Sequence, residues 1–311
     1  MVGEMNYASD IPQEAILNAE REITAYLDTN KDTAFARQLL FVRRLQNPFT
    51  RKDIVRRVDL TESEDGISNA KIVAPGTVPD ITKTRKKEYT HQIWFIGDAV
   101  LADEAALEMD PSVWNGDVSA SMLECTRRES YIAINGSTNH GITGIVGAAR
   151  ANPNGKITAA ASSGANVGNN GAWDGSETNA VMDPFDDLLE GVFKVGTEFP
   201  RSSLKLLGHP LDLKGLYKKN DLDHSPAEQV GPLFGRPEGD VSFIVPCDYV
   251  PRGYLYIVSG SQNCAEFVVA REYYMDANFP RTHGKQRYGE VGGYFGFEFH
   301  NTKGLVEIQV T

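Results

Sequence analysis

Only three cysteines, Cys125, Cys247 and Cys264, occur in the 311 residues, and no two of them form a Cys-x-x-Cys pair. So sparse and odd a set excludes a disulfide framework and a four-cysteine zinc site; the three read as small buried hydrophobes. No apolar run reaches the roughly eighteen residues that a membrane-spanning helix needs. Met1–Asn6 has neither a basic leader nor an apolar core, so no signal peptide is expected. No repeat recurs at solenoid spacing. Motifs of nucleotide and acyl-transfer chemistry are missing too. Gly289, Gly292, Gly293 and Gly296 fit no dinucleotide fingerprint or Walker loop and read as strand residues, the run Gly164–Gly175 lacks a following Lys-Ser/Thr pair, and there is no Gly-x-Ser-x-Gly elbow.

What is present suits a globular chain. The apolar fraction of 41% is ordinary, and a chain this long buries roughly three quarters of its unfolded surface without a metal or disulfide. The net charge of −11 argues against a general nucleic-acid binder. The charge is unevenly spread. Lys31, Arg37, Arg43, Arg44, Arg51, Lys52, Arg56 and Arg57 face only Asp32 and Asp53, a local +6 that leaves −17 elsewhere. The strip suits a neighbour's acidic surface, packaged nucleic acid, or simply a solvated helix face.

Ile16, Ala19, Ile23 and Leu27 recur at helical spacing, so residues 11–28 are expected to form an amphipathic helix. Residues 32–45 are expected to continue helically until Asn47-Pro48. Short strands are expected over 53–60, 68–73 and 88–96, with an exposed loop over the Pro/Gly-punctuated, charged stretch between the last two. Asp98 is read as the cap of a helix to Met109. Pro111 and Asn115-Gly116 are expected to break the tract before a second helix, Val118–Ile134, closed by Asn135-Gly136. Residues 147–180 read as a long surface loop. Asp183-Pro184 opens a helix with Asp186 and Asp187 at its positive end. Strands are expected at 203–207, 241–245, 254–258 and 266–270, with a short helix from His209-Pro210 to Tyr217. Phe295, Phe297, Phe299 and then Val306, Ile308, Val310 alternate with other residues across Asn301–Gly304, the pattern of a terminal hairpin.

Few residues suggest catalysis. His140, beside Gly141-Ile142-Thr143-Gly144, is a candidate base, with a turn-capping histidine as the plainer reading. Asp221, Asp223 and His224, with His209, could offer metal ligands, but their spacing matches no calcium loop or zinc site and turn chemistry before Ser225-Pro226 explains them. Glu62/Glu64 and Asp186/Asp187 belong to a turn and a helix start. No catalytic, cofactor or metal site is assigned.

The order of these features resembles the major capsid proteins of tailed phages and archaeal viruses and the encapsulin shells that share the Hong Kong 97-type fold. The resemblance rests on Ala36–Leu40 as an arm-to-body segment, Gly66–Pro79 with Asp80–Phe95 as an extended E-loop, Arg127–Gly136 followed by Gly141–Val146 as the end of a spine helix, Phe185–Phe199 with Ser203–Tyr217 as an axial (A) domain piece, and Phe267–Val310 as the return strands of a peripheral (P) domain. It implies an α+β chain divided into a helical arm (1–52), the E-loop and its strands (53–97), the spine-helix region of the P-domain (98–146), an A-domain with the Gly/Asn-rich loop (147–260) and the P-domain return strands (261–311). It further implies a non-enzymatic subunit of an icosahedral virion or prophage head enclosing double-stranded DNA, made in the host cytoplasm. Pentamers and hexamers of the same chain would be the main partners, with packaged nucleic acid touched non-specifically, portal, scaffold or decoration proteins as further ones, and no membrane or cofactor. Val78, Asp80, Lys83, Arg85, Lys86 and Lys87 would form the E-loop tip that meets a neighbour. Arg37, Arg43, Arg44, Arg51, Lys52, Arg56 and Arg57 would form a strip facing the lumen or a partner. An encapsulin-type compartment around a cargo enzyme is the alternative within the fold. A tail or adhesin-type binding module, or an α+β hydrolase using His140 or Asp221/Asp223/His224, is the alternative outside it.

Overall fold

The computed structural model describes residues 13–29, 34–48, 52–58, 86–110, 112–158, 183–217, 225–276 and 286–310. In chain order the elements are α1 (Gln13–Thr29), α2 (Phe35–Leu39), β1 (Phe41–Arg44), β2 (Lys52–Val58), β3 (Lys86–Gln92), β4 (Trp94–Asp103), α3 (Glu104–Met109), α4 (Trp114–Asn135), α5 (Ile145–Ala151), β5 (Lys156–Thr158), α6 (Asp183–Lys194), β6 (Leu204–Gly208), α7 (Pro210–Leu213), α8 (Pro226–Gln229), β7 (Ile244–Pro246), β8 (Tyr254–Ser259), β9 (Ala265–Asp276), β10 (Gln286–Phe299) and β11 (Leu305–Gln309).

Two mixed sheets carry the body. One has the order β1-β9-β10-β4 and the other β5-β11-β8-β6-β7, while among the described residues β2 and β3 form a two-stranded sheet of their own. The long helix α4 lies on the first sheet. Val118, Met122, Cys125, Ile132 and Ala133 form its buried stripe, and the Cys125 thiol contacts the Val291 carbonyl at 3.6 Å. Trp114 is fully buried at its start. Helix α1 packs along α4, presenting Ala15, Ala19 and Ile23 inward, a three-to-four-residue spacing that burial rewards. Phe267 and Phe295 stack at 5.4 Å in the four-stranded sheet, and a single apolar cluster runs from there to Leu206, Ile257 and Ile308 of the five-stranded sheet.

Several expectations change. Residues 41–44 form a strand rather than a helix, because Phe41-Val42 extends the free edge of β9 in parallel register, Phe41 opposite Glu266. Residues 94–103 form a ten-residue strand along β10. The cap that follows is therefore Asp103, which accepts from the Ala105 amide at 2.9 Å, and Asp98 instead accepts from Ser121 at 3.0 Å. The Asn115-Gly116 pair falls in the first turn of α4, where a glycine costs little, and the helix runs unbroken for 22 residues. Within the expected 147–180 loop, α5 extends to Ala151 and β5 covers 156–158. The expected terminal hairpin does not form. Strand β10 pairs with β4 and β9, whereas β11 pairs with β8 and β5. Between them the chain is pulled aside by His300 and Asn301 amides that both donate to the Cys264 carbonyl. The 241–245 strand begins only at Ile244. The expected strand at 68–73 lies outside the described residues.

The end of α4 shows how tightly one turn is specified. Gly136 adopts φ +76, a left-handed value that L side chains resist, and Ser137 and Ile142 exchange backbone hydrogen bonds at 2.8 and 2.9 Å. Gly144 folds back beneath it: a Cβ there would stand 2.3 Å from the Gly136 nitrogen and 2.5 Å from the Ile134 carbonyl oxygen. Gly141 also has positive φ but faces open space. We expect Gly144→Ala to cost more than about 2 kcal/mol, and Gly141→Ala only about 1 kcal/mol of backbone strain. Urea denaturation of the two variants checks the ranking.

Candidate assembly surfaces

Segment α2–β1 is riveted to the body by charge. Arg37 points inward from α2, with its Nε 3.4 Å and Nη2 3.5 Å from the two carboxylate oxygens of Glu129 on α4. The Tyr273 hydroxyl on β9 donates to the same carboxylate at 2.8 Å. The third guanidinium nitrogen stands 2.9 Å from Glu272, which Arg44 meets at 3.1 Å. The Arg37 guanidinium lies 5.6 Å from the centre of the Phe267 ring and 5.7 Å from that of Phe295, so it serves as lid to the aromatic core as well as counter-ion. Arg43 pairs with the buried Glu266 at 3.0 Å. Burial pushes the Glu129 carboxyl up, and the Arg37 charge and the Tyr273 hydroxyl pull it part of the way back. Burial opposes the charge on Arg37, but Glu129 and Glu272 together outweigh it and raise its pKa.

The expected basic strip is therefore not one continuous face. Arg37, Arg43 and Arg44 spend their charge on this chain's own carboxylates, because Glu129 and Glu266 are fully buried and require a cation. Lys52 lies on β2 with an exposed side chain. Arg56 and Arg57 take positions further along β2, with Arg56 opposite Glu88 and Arg57 opposite Lys87. Arg51 lies outside the described residues. So do Val78, Asp80, Lys83 and Arg85 of the expected tip, while Lys86 and Lys87 begin β3.

The ribbon β2–β3 leaves the body at Ile93. Here the chain passes from the β2 ladder to the β10 ladder. Ile93 sits in a small separate apolar cluster with Val268 and Ala270, flanked by Leu45 and Tyr294.

A groove of about 400 Å³ between β4 and α4 is lined by Leu101, Leu123, Asp98, Asp117 and Glu124. Leu101 is 52% exposed and Met109, beyond the end of the groove, is 82% exposed. Its two sides come from strand β4, whose identity depends on β10, and from the outer face of α4, so local sequence pattern does not reveal it.

The catalytic candidates stay apart. His140 Nδ1 lies 2.8 Å from the Ser137 hydroxyl, and its ring meets Trp94 edge to face. Among the described residues no carboxylate hydrogen-bonds to that ring, so the third group that would orient a base is missing. His209 accepts from the Leu211 amide at 3.2 Å, opening α7. Asp221, Asp223 and His224 lie outside the described residues. Among the described residues there is no cluster of His, Cys, Asp or Glu that could hold a metal, and no helix long and apolar enough to cross a membrane. All three cysteines are buried and unbridged, with burial pushing Cys247 up to about 11 and Cys264 up to about 12.

No protein-family model and no curated protein sequence matches the chain. Solved structures do. The virus-like particle from Pyrococcus furiosus is similar at TM-score 0.57, over 94% of this chain and 99% of that one, with 13% identity. The capsid of the native GTA particle is similar at TM-score 0.58, over 89% and 90%, with 13% identity. The chain has the Hong Kong 97-type capsid fold. The holo-SrpI encapsulin from Synechococcus elongatus PCC 7942 shows the same fold at TM-score 0.52, over 88% of this chain and 86% of that one, with 12% identity. At such identities the Hong Kong 97-type likeness is one of backbone architecture: a long helix laid on a mixed sheet, a two-stranded ribbon, and a second sheet with its own helices.

Within that architecture the Arg37–Glu129 pair is testable alone. Arg37→Ala strands a carboxylate in the interior and is expected to cost about 3 kcal/mol or more at pH 8. A buried carboxyl whose pKa is raised binds its proton more tightly in the folded state, so acid relieves the penalty. The loss should therefore shrink at pH 5. Urea denaturation at both pH values reads this, and an equal loss at both contradicts the pairing.

Proposed function

We propose that this chain is the major shell subunit of a virus or prophage head, assembling with copies of itself around double-stranded DNA. The observation that carries the reading is the ribbon β2–β3, seven residues on each strand and, among the described residues, a two-stranded sheet of its own, on a fold whose solved examples include a virus-like particle and a capsid. A lone two-stranded ribbon is marginal in water. Its register places Arg57 opposite Lys87.

On this reading residues 1–52 are the arm, 53–97 the E-loop and its strands, 98–146 the spine region, 147–260 the A-domain and 261–311 the return strands. The ribbon end, with Lys83, Arg85, Lys86 and Lys87 and flanked by Val78 and Asp80, meets a neighbouring subunit. The acid-lined groove between β4 and α4 is the receiver of matching charge. Arg51, Lys52, Arg56 and Arg57 are the cations left to meet a neighbour or packaged nucleic acid. Host cytoplasm is the place of assembly, and portal, scaffold or decoration proteins are further partners.

The encapsulin reading shares the fold. A cargo shell needs an apolar groove for a peptide. The cleft of about 720 Å³ beneath α1 has both kinds of wall, with Ile23, Leu27 and Tyr273 beside Glu20, Asp28 and Arg44, and does not separate the two readings.

Negative-stain electron microscopy of the chain expressed alone, with absorbance of the particle peak at 260 and 280 nm, tests both. Closed shells or uniform capsomers are expected, with nucleic acid in the particle. Deleting residues 78–87 should leave a folded subunit that no longer forms shells. A wild-type chain that stays a monomer or dimer under every condition overturns the shell reading, and intact shells from the deletion overturn the role given to the tip.

A further inference from the structure

The two sheets of the body leave one long strand edge open. Strands β1, β5 and β7 each close a sheet edge with four residues or fewer, and β7 ends on Pro246. Strand β4 closes its edge with ten, Trp94–Asp103, and among the described residues its one sheet neighbour is β10. It contains no proline and no lysine, the residues that commonly protect an edge. At every second residue its amide and carbonyl point away from β10 and meet no further strand among the described residues.

The groove beside α4 follows this edge. Asp98, Ala99, Val100 and Leu101, four successive residues of β4, line it from one side. Asp117, Ala120 and Glu124, spaced as one face of a helix, line it from the other. Three carboxylates and no cation stand on its walls. Glu124 meets Arg127 at 3.0 Å on the open surface, and Asp98 accepts from Ser121. Asp117 has no cation within ion-pair distance among the described residues. Leu101 and Leu123, 52% and 38% exposed, add apolar surface.

An open edge of this kind takes an extended segment as a further strand, held by main-chain hydrogen bonds and selected by its side chains. These walls call for cations and an apolar residue on one side of that segment. Residues 81–85, Ile-Thr-Lys-Thr-Arg, have the pattern: as a strand they set Ile81, Lys83 and Arg85 on one face and two β-branched threonines on the other. They lie outside the described residues and directly precede β3. Because β3 and β4 belong to different sheets, no hairpin brings the tip and the groove of one chain together. The β4 edge of another copy is the poorer occupant, since it would set Asp98, Asp117 and Glu124 against their own kind.

We propose that residues 81–85 of a second copy add to the free edge of β4 as a fifth strand, with Lys83 and Arg85 toward the groove's carboxylates and Ile81 toward Leu101 and Leu123. This rests on the shell reading's contact between ribbon end and groove. It adds what holds that contact, a main-chain ladder whose register is set by charge.

Hydrogen exchange of the full-length chain, compared between assembled shells and dispersed subunits in one buffer, tests it. Amides of β4 are expected to exchange about ten-fold or more slowly in shells, with β8 as the unchanged reference. The dispersed full-length chain should show the same slowing when a synthetic peptide of residues 78–87 is added. It should not do so with that peptide carrying Thr84→Pro, which removes a ladder amide, or Lys83→Glu with Arg85→Glu. Shells whose β4 exchanges as fast as in dispersed subunits overturn the strand addition and leave the shell reading standing. Slowing on assembly that the wild-type peptide does not reproduce assigns the edge to another occupant and overturns it too. Slowing by the Thr84→Pro peptide overturns the ladder. A chain that never assembles removes the shell reading, and the peptide then decides alone: an unchanged β4 overturns the inference.

Discussion

A carboxylate sealed from water has to be matched before a chain can close around it, and Glu129 is such a group in the middle of the long helix. Its partners come from two distant segments: Arg37 from the short helix after α1, and Tyr273 from the sheet beneath. One buried charge therefore fixes three things at once, namely the rotation of the helix, the position of the sheet against it and the docking of the N-terminal segment. Replacing the whole set with well-packed apolar side chains could hold the same parts together at no loss of stability. What the ionic version adds is a requirement of register, because a slip of one residue in either helix leaves a charge buried alone.

The same economy draws down the positive charge of the N-terminal strip. Three arginines that look like a surface strip in the sequence are consumed by buried or half-buried acids. Of the other cations in that strip, Lys52, Arg56 and Arg57 lie on the ribbon.

Helices with one apolar face were legible from spacing: α1, α4 and α6 lie within a few residues of where the periodicity puts them, as do the edges of β6 and β8. The overall order also carried the resemblance to a capsid fold, which the backbone bears out. What could not be read were strands whose identity depends on a distant partner. Phe41–Arg44 becomes β-structure because β9 offers an edge some 220 residues away in the chain, and 94–103 because β10 runs beside it. The alternating stretches around Asn301 look like two arms of a hairpin, and alternation alone does not say which sheet each arm joins. The candidate assembly surfaces were legible only where they are local. The charged tip is a composition signal, but the groove between β4 and α4 exists only once remote strands are brought side by side.

Sheet order also dictates a timetable. Strand β1 waits for β9, and β4 waits for β10, so the four-stranded sheet cannot be laid down until residues beyond 286 have been synthesised. Such non-local pairing is slow to form because long loops must close first. Until then Ile93 has no sheet to anchor it and the ribbon has no root. A chain stalled or cut short during translation thus lacks the platform from which the ribbon projects. Completion of synthesis therefore precedes the completion of that platform.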